Sequence, residues 1–176
     1  MIKVYIEDAE LIPAYAHITD AGMDVCAAKD MVIAPGQTKI IPTGLKMAIP
    51  EGFECQVRPR SGLSANTPLR VVNTPGTIDA GYRGEVGIIL QNTSRDYVIE
   101  DNMLKPMIDS PMHYYYTNEK GNKQGWYIIN KGDRIAQLVF NKVERAEFEI
   151  VASVATIGED RSGGFGSTGV SSKEGK

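Results

Sequence analysis

The sequence predicts an all-β fold, and three observations carry this prediction. Short apolar runs recur along the chain, and each is four to seven residues long, the usual length of a strand. Gly, Pro, Asn or Asp separates one run from the next, as expected for strands joined by turns. Strands do not alternate with helices, which argues against a parallel βαβ sheet. With 176 residues, 42% of them apolar, the chain can bury a single core.

The predicted strands follow from these runs in chain order. They are KVYI, MVIA, TKIIP, LKMAI, FECQVR, LRVVN, VGIILQ, WYII and RIAQLVF, at residues 3–6, 31–34, 38–42, 45–49, 53–58, 69–73, 86–91, 126–129 and 134–140. Val, Ile, Phe and Tyr recur in them, and these residues favour strands. Only SGLSAN, residues 61–66, favours a brief helical turn, in which Ser61 could cap backbone amides and Gly62 lets a ligand approach the backbone.

One domain with a tail is the predicted organisation. Residues 1–155 form the β domain, and residues 156–176 turn to Gly, Ser, Thr and charged residues. Such a segment cannot offset the entropy of ordering by its own apolar burial, so we expect it to be mobile when alone.

Composition and charge exclude several classes of function. The net charge of −3 lacks the basic excess of a protein that coats nucleic acid. No stretch approaches the length of a membrane span, and the start MIKVYIEDAE carries acids where a secretory signal would be apolar. We therefore expect a cytoplasmic protein without a membrane or direct nucleic-acid partner.

The cysteines and histidines form no recognisable site. Cys26 and Cys55 lie far apart and lack histidine neighbours, so zinc and a disulfide framework are poor interpretations. His17 and His113 have no spacing that indicates a metal site or a catalytic triad. The cysteines are interpreted as small core residues.

Three short segments could do chemistry, and the first two of them suit an anion. PRSG, residues 59–62, offers a guanidinium, a hydroxyl and flexible amides, which suit phosphate; an arginine beside a turn is the alternative. RSGGFGSTG, residues 161–169, repeats that combination and adds Phe165, whose ring could cover a flat base. In GDRIAQLVF, residues 132–140, Gln137 is a polar side chain among apolar neighbours and could equally be a satisfied strand amide.

Asp24 in AGMDV, residues 21–25, leaves three interpretations open. The carboxylate could serve a hydrated cation or hold an arginine. For the motif alone, however, we favour an aspartate that caps a helix or forms a turn.

Together these segments are far more specific than any one of them. AGMDV, PRSGLS, NTPGTIDAGYRGEV, GDRIAQLVF and RSGGFGSTG, in that order between residues 21 and 169, closely resemble the five motifs of the trimeric deoxyuridine triphosphatases (dUTPases). The resemblance implies a distorted jelly-roll β-barrel that forms a homotrimer with active sites at the subunit interfaces. It also implies hydrolysis of dUTP to dUMP and pyrophosphate, which limits uracil incorporation into DNA and supplies dUMP for dTMP synthesis.

The resemblance assigns the base and the sugar to one stretch of chain. The β-hairpin of residues 73–82 reads uracil through its backbone, and the contacts are Asn73, Gly76 and Ile78. A tight hairpin excludes the thymine methyl group and leaves a cytosine amino group unpaired. Tyr82 lies against the deoxyribose, where a ribose 2′-hydroxyl would collide with it, and Phe165 of the tail covers the base.

The catalytic and phosphate residues are likewise implied by the family. Asp79 corresponds to the general base that activates water for attack on the α-phosphorus. The phosphate contacts are Arg60, Ser61, Gly62, Gln137, Arg161, Gly166, Ser167 and Thr168. Mg²⁺ bridges the triphosphate, and Asp24 contacts it indirectly, through water. The tail residues among these close over the site as a lid.

A long insert departs from the usual family pattern. Ordinary members join Asn92 to Gly132 by a much shorter connection, whereas some phage-encoded members resemble this chain in carrying an insert, here about residues 101–128. Six of the chain's aromatic residues lie between residues 93 and 131, which is dense for an idle loop. The insert is thus either a surface for a regulatory protein partner or a hairpin that packs on its own barrel or trimer. A phage origin would place the protein in the host cytoplasm.

Two other functions remain as alternatives. A dCTP deaminase shares the barrel and the triphosphate contacts, but that family carries a catalytic Glu ten residues after the position of Asp79, and here the residue is Ile89. Isoleucine cannot transfer protons, which argues against deamination. The other alternative is a dUTPase-like regulatory module that binds a protein partner through the insert.

Overall fold

The computed structural model describes residues 2–7, 10–94, 97–100, 103–106 and 125–160. It divides the chain into two compact units, Met1–Glu144 and Arg145–Lys176. Within the described residues the chain forms thirteen strands, a six-residue helix and a short 3-10 helix, so the all-β prediction is confirmed. The domain boundary expected after residue 155 stays a prediction. No helix of the described part has the length and apolar character needed to cross a membrane.

The elements follow one another in this order. They are β1 (Tyr5–Ile6), β2 (Met23–Cys26), β3 (Met31–Ile33), β4 (Thr38–Pro42), β5 (Met47–Ala48), β6 (Phe53–Arg58), α1 (Ser61–Asn66), β7 (Leu69–Val71), β8 (Gly76–Ile78), β9 (Gly87–Asn92), β10 (Tyr97–Glu100), β11 (Met103–Pro106), β12 (Tyr127–Ile129), β13 (Arg134–Lys142) and a 3-10 helix (Val154–Thr156).

Two antiparallel sheets contain most of these strands. The four-stranded sheet has the order β2-β13-β6-β8, and the three-stranded sheet has the order β4-β9-β7. Strand β13, nine residues long, pairs with β2 on one side and with β6 on the other. The order β2-β13-β6-β8 therefore brings three of the sequence motifs onto one sheet, and a fourth, PRSGLS, directly follows β6.

The core is built by alternation along the strands. In β9, Ile88 and Leu90 are fully buried, whereas Ile89 between them is only half-buried on the opposite face. In β6, Cys55 and Val57 point inward in the same way. Full burial of an aliphatic side chain contributes about 1.5–3 kcal/mol, so these inward faces hold the sheets together.

The strand predictions from the sequence are largely confirmed. Each of the nine predicted runs contains a strand, and TKIIP, FECQVR and the helical SGLSAN have the predicted bounds. The strands not predicted are β2, β8, β10 and β11. Strand β2 contains an aspartate and β8 begins with glycine, two residues that strands disfavour, and both are held by pairing with longer neighbours.

The proposed helix cap was wrong. The helix α1 begins at Ser61, its N-cap position is Arg60, and no side chain makes a capping hydrogen bond there. Ser61 already has helical backbone geometry, so it lies one residue too late to act as the cap.

Asn92 fixes both ends of the connection that holds the insert. Its buried side chain donates from Nδ2 to the carbonyl oxygens of Ile33 and Gly125, at 3.0 and 2.6 Å. Ser94 donates from its hydroxyl to the same Gly125 oxygen at 2.8 Å, so the two ends meet. Between them, β10 and β11 form a separate hairpin. The last two residues of the expected insert, 127 and 128, belong to β12, which pairs with β3.

Candidate active site

An ion-pair cluster joins three of the sequence motifs. Asp24, in the middle of β2, accepts hydrogen bonds from Arg60 Nε to Oδ1 at 2.7 Å and from Arg60 Nη2 to Oδ2 at 3.3 Å. Arg134, the first residue of β13, donates from Nη1 to the same Oδ2 at 3.2 Å. The helix-cap or turn interpretation of Asp24 was therefore wrong, and the alternative that it holds an arginine is confirmed.

Gln137 fixes the PRSG segment, residues 59–62, to the sheet. It pairs with Asp24 on one side and with Arg58 on the other, and its Nε2 donates to the carbonyl oxygen of Pro59 at 2.9 Å. A Cβ on Gly22 would collide with the side-chain amide of Gln137, so a larger residue there would displace that amide. The side-chain amide of Gln137 therefore has a hydrogen-bond partner within the chain, as the alternative interpretation of this residue expected.

Ser61 and Gly62 lie next to this cluster in sequence and face solvent in the first turn of α1. A Cβ on Gly62 would meet nothing within 4 Å, so the space beside its backbone is open. The residues expected to contact phosphate in PRSG thus lie beside a cluster with two arginines and one carboxylate.

The residues expected to read the base run from the turn before β8 to its last residue, Ile78. Strand β8 pairs with β6, so this stretch does not form the expected hairpin. Gly76 and Ile78 are buried and pair with Val57 and Cys55. Asn73 folds back onto Gly76, because a Cβ there would lie 2.8 Å from Asn73 Nδ2. A side chain at position 76 would therefore displace the Asn73 amide. The peptide bond between Thr74 and Pro75 is cis.

Asp79 and Tyr82 follow β8 in an exposed turn. The Tyr82 amide donates to the Asp79 carbonyl oxygen at 3.0 Å, which closes the turn. Among the described residues no side chain binds the Asp79 carboxylate, and the residue faces solvent. The Tyr82 ring is 46% exposed, and its hydroxyl donates to the Glu85 carbonyl oxygen at 2.9 Å.

The turn and the ion-pair cluster lie at opposite ends of β6. Because β6 and β8 are antiparallel with Cys55 opposite Ile78, Asp79 lies level with the residue before Cys55. Arg58, at the other end of β6, is about 13 Å further along the sheet, at about 3.3 Å per residue, and Arg60 follows it. The described residues of one chain therefore do not bring Asp79 and Arg60 together.

Five expected site residues lie outside the described part of the chain. They are Arg161, Phe165, Gly166, Ser167 and Thr168.

The two cysteines are free, and both have raised pKa values. Burial, and then the nearby Asp24 carboxylate, raise the pKa of the Cys26 thiol. Burial, followed by the charge of Glu54, raises the pKa of Cys55 to about 12. Both thiols therefore stay protonated near neutral pH, which fits the interpretation as packing residues for the fully buried Cys55.

The chain is similar in sequence and in fold to known proteins. A family model described as dUTPase matches residues 8–102 and 121–169, which is most of the chain. The chain belongs to the dUTPase family. Membership confirms the predicted class of enzyme, a dUTP diphosphatase, and the predicted jelly-roll fold.

Curated and structural relatives of this dUTPase family member cover nearly the whole chain. The deoxyuridine 5′-triphosphate nucleotidohydrolase of Clostridium tetani is 40% identical over 96% of this chain and 94% of its own. The dUTPase of Staphylococcus bacteriophage 80alpha, solved as a mutant with dUpNHpp, is 32% identical, with a TM-score of 0.75 over 96% of this chain and 99% of that one. The dUTPase of phage phi11 of S. aureus, solved to visualise its species-specific insert, is 27% identical, with a TM-score of 0.68 over 88% and 99% of the two chains.

Two features of this dUTPase family member were missed in the sequence. Sequence reasoning assigns no role to Arg134, although a second arginine among motifs that also carry an acid is a signal for an ion pair. It likewise assigns no role to Gly84 and Glu85, which follow Tyr82 and Arg83 in a glycine-rich turn. The family model leaves residues 103–120 unmatched, which is a narrower segment than the expected insert.

Proposed function

We propose that this member of the dUTPase family hydrolyses dUTP to dUMP and pyrophosphate, with Asp79 as the general base. The observation that carries the proposal is an exposed Asp79 carboxylate, unbound by the described residues, three residues from Tyr82 at the end of the base-reading strand. A water oxygen bonds to the α-phosphorus, its proton passes to Asp79, and the bond from the α-phosphorus to the bridging oxygen breaks. Pyrophosphate leaves with that oxygen. The reaction limits dUTP available to DNA synthesis and supplies dUMP for dTMP synthesis.

Uracil is read by the segment that begins at Asn73. A side chain at position 76 would displace Asn73 from its contact with Gly76, which supports a narrow slot beside the backbone. Ile78 is buried behind the slot and fixes the strand. A slot that pairs its polar groups with uracil rejects cytosine, because the buried donors and acceptors would be left unpaired.

Arg60 contacts the triphosphate without leaving Asp24. A guanidinium has five N–H donors. The hydrogen bonds from Arg60 to Asp24 and to the Arg134 carbonyl oxygen use only some of these donors. One carboxylate between two arginines leaves the cluster positively charged, which attracts phosphate. Ser61, Gly62 and Gln137 complete this side of the site. Arg161, Gly166, Ser167 and Thr168 add phosphate contacts from the tail, and Phe165 covers the base.

The donor set fits Mg²⁺ carried by the triphosphate. No group of three or more His, Cys, Asp or Glu side chains that could hold a metal ion occurs within the described residues. Mg²⁺ keeps several waters and takes one or two carboxylates plus substrate phosphates, so Asp24 alone suffices as an indirect ligand. Each carboxylate oxygen has two lone pairs, and the arginines leave some of them for a metal-bound water. When bound, Mg²⁺ neutralises phosphate charge. A mutant of the phi11 dUTPase was solved with a structural Mg(II) ion.

The site is shared between the subunits of a homotrimer. Asp79 and the Arg60 cluster lie at opposite ends of β6, which supports a site that takes its base from one chain and its phosphate contacts from another. Mixing two inactive variants tests this point. Asp79→Asn and Arg60→Gln, unfolded and refolded together, should regain part of the parental activity, because mixed trimers contain some sites with both native residues. Failure to regain activity, with trimers present by sedimentation, would contradict a shared site.

A second function, binding of a regulatory protein, is favoured by the insert. The family model passes over residues 103–120, and the ends of the insert are held by Asn92 and Ser94 without any motif residue. The 80alpha dUTPase is one of the phage dUTPases that control transfer of virulence genes by a proto-oncogenic G protein-like mechanism. We propose that the insert is the surface for such a partner, and that the chain is phage-encoded and acts in the host cytoplasm.

A substrate panel tests the proposed reaction. The purified protein is given dUTP, dTTP, dCTP and UTP with Mg²⁺, and pyrophosphate and ammonia are both measured. We expect pyrophosphate from dUTP, far less from the others, and no ammonia from dCTP. Ammonia release would revive the deaminase alternative, against which Ile89 argues because it is an aliphatic residue on β9.

Asp79→Asn is the matched test of the base. We expect at least about a hundredfold loss of turnover with unchanged thermal stability, because the exposed carboxylate has no structural partner among the described residues. Asp20→Asn, the same change at a half-buried aspartate outside the motifs, should keep parental turnover. Parental turnover by Asp79→Asn would remove Asp79 from its role.

A further inference from the structure

The Tyr82 ring lies directly against Gly84. An added Cβ at position 84 would meet the ring at its hydroxyl, at 2.7 Å from Cζ and at 3.1 Å from Cε2. Gly84 is not among the glycines with positive φ, so its backbone would accept an alanine. Glycine is therefore needed at position 84 for space and not for conformation.

The tip of the same ring is held by Glu85. The Tyr82 hydroxyl donates to the Glu85 carbonyl oxygen at 2.9 Å, and the Glu85 carboxylate accepts from the Gly44 amide at 2.8 Å. The next residue, Val86, accepts on its carbonyl oxygen from the buried Thr43 hydroxyl at 2.6 Å. The acceptor of the Tyr82 hydrogen bond is thus fixed to the connection between β4 and β5.

The remaining surface of the ring is open. Tyr82 is 46% exposed although its tip is bonded and one side rests on Gly84. A ring that is immobilised in this way presents a rigid surface, and a rigid surface is what separates substrates that differ by one hydroxyl. A loosely apolar site rejects an added hydroxyl only about a hundredfold.

We infer that Gly84 is a specificity-determining position: by leaving space for the Tyr82 ring, it sets the discrimination between deoxyribose and ribose. The inference rests on the proposed function, in which Tyr82 contacts the deoxyribose. Gly84 acts through Tyr82 and is a positioning residue, with Glu85 as the anchor of the hydroxyl.

Gly84→Ala is the direct test. The new methyl group meets the far end of a side chain, which can move, so the ring shifts and the backbone stays. We expect the ratio of kcat/KM for dUTP to that for UTP to fall at least about tenfold, since a displacement of about 1 Å can cost about a hundredfold. The ratio falls in either direction of movement. A ring moved toward the sugar obstructs dUTP while UTP stays excluded, and a ring moved away admits UTP.

Gly81→Ala is the matched control. It adds the same methyl group in the same turn, where a Cβ meets nothing within 4 Å and φ is not positive. It should keep the parental ratio and melting temperature. Tyr82→Phe, which removes the bond to Glu85 and keeps the ring, should narrow the ratio by less than Gly84→Ala does.

A catalysis-free measurement completes the test. Calorimetric titration with dUMP and UMP should give a smaller preference for dUMP in Gly84→Ala than in the parent, with the melting temperature within the range of the control. If Tyr82→Ala changes the dUTP to UTP ratio and Gly84→Ala does not, the inference about Gly84 is overturned while the sugar contact stands. If Tyr82→Ala itself leaves the ratio unchanged, the proposed role of Tyr82 fails, and the inference with it. Loss of folding in Gly84→Ala but not in Gly81→Ala would also overturn it, because the contact would then be structural.

Discussion

Arg60 holds Asp24 through both carboxylate oxygens, at 2.7 and 3.3 Å, and the two side chains are about a quarter exposed. The pair joins a strand of the first motif to the segment that follows β6. Arg134 adds a third charge from β13 on the same carboxylate. Contacts within the chain therefore hold together the cluster that we propose as the phosphate side of the site.

Asp24→Asn should destabilise the fold by about 1–2 kcal/mol, because charge-assisted hydrogen bonds from two arginines weaken together. Urea unfolding measures the change. Asp20→Asn serves as the control. The His17 backbone N–H donates a hydrogen bond to the Asp20 carboxylate at 2.8 Å, and the amide oxygen of asparagine can still accept that bond. Equal unfolding midpoints for the two variants would show that the ion pairs contribute nothing measurable.

Much of the fold could be read from the sequence, because most strands combine apolar residues with flanking turns. TKIIP and FECQVR were predicted to their ends for that reason. The strands β2 and β8 could not be predicted so well, since Asp24 and Gly76 disfavour a strand locally. Pairing with β13 and β6, which lie far away in sequence, decides the conformation of both.

Tyr82→Ala should narrow the preference for dUTP over UTP. Strong discrimination against one hydroxyl requires a rigid group in contact with the sugar, and the Tyr82 ring is bonded at its tip and open on its surface. The measurement is kcat/KM for both nucleotides under the same Mg²⁺ concentration. An unchanged ratio would count against selection of the sugar by this ring.

Cys55 should make stability fall at alkaline pH. Its pKa is raised from 9.0 to about 12 in the folded state, so the folded state holds the proton more tightly than the unfolded state. The stability that this proton contributes is complete below pH 9 and is lost as the pH rises from 9 toward 12, at about 1.4 kcal/mol per unit. Urea unfolding of Cys55→Ala between pH 8 and 11 should show a smaller pH slope than the parent. Equal pH slopes for Cys55→Ala and the parent would contradict the raised pKa of Cys55.

The insert should be removable if the cut respects the residues that close it. Ser94 donates to the Gly125 carbonyl oxygen at 2.8 Å, so a Gly-Asn linker in place of residues 95–124 can join them without strain. We expect this variant to fold and to hydrolyse dUTP at near the parental rate. A second deletion that replaces residues 102–125 also removes Gly125, leaves the buried Asn92 Nδ2 without that acceptor, and should cost about 1–3 kcal/mol more.

The first deletion separates the two interpretations of the insert. If the first deletion unfolds the protein, or lowers activity in proportion to lost thermal stability, the insert is part of the core. The partner hypothesis should then be dropped.

The site was harder to predict than the fold, for a physical reason. The motifs identify Asp24, Arg60 and Asp79, but which side chains meet depends on the strand order β2-β13-β6-β8. That order brings Arg134 onto Asp24 and leaves Asp79 at the far end of β6. Neither consequence follows from spacing along the chain.

The position of water attack is the central claim, and isotope transfer tests it most directly. Turnover of dUTP in oxygen-18 water, followed by mass spectrometry of both products, locates the new oxygen. Attack on the α-phosphorus, activated by Asp79, predicts one labelled oxygen in the phosphate of dUMP and none in pyrophosphate, with formation of both products suppressed in Asp79→Asn. Label in pyrophosphate, or product formation by Asp79→Asn at the parental rate, would contradict the account.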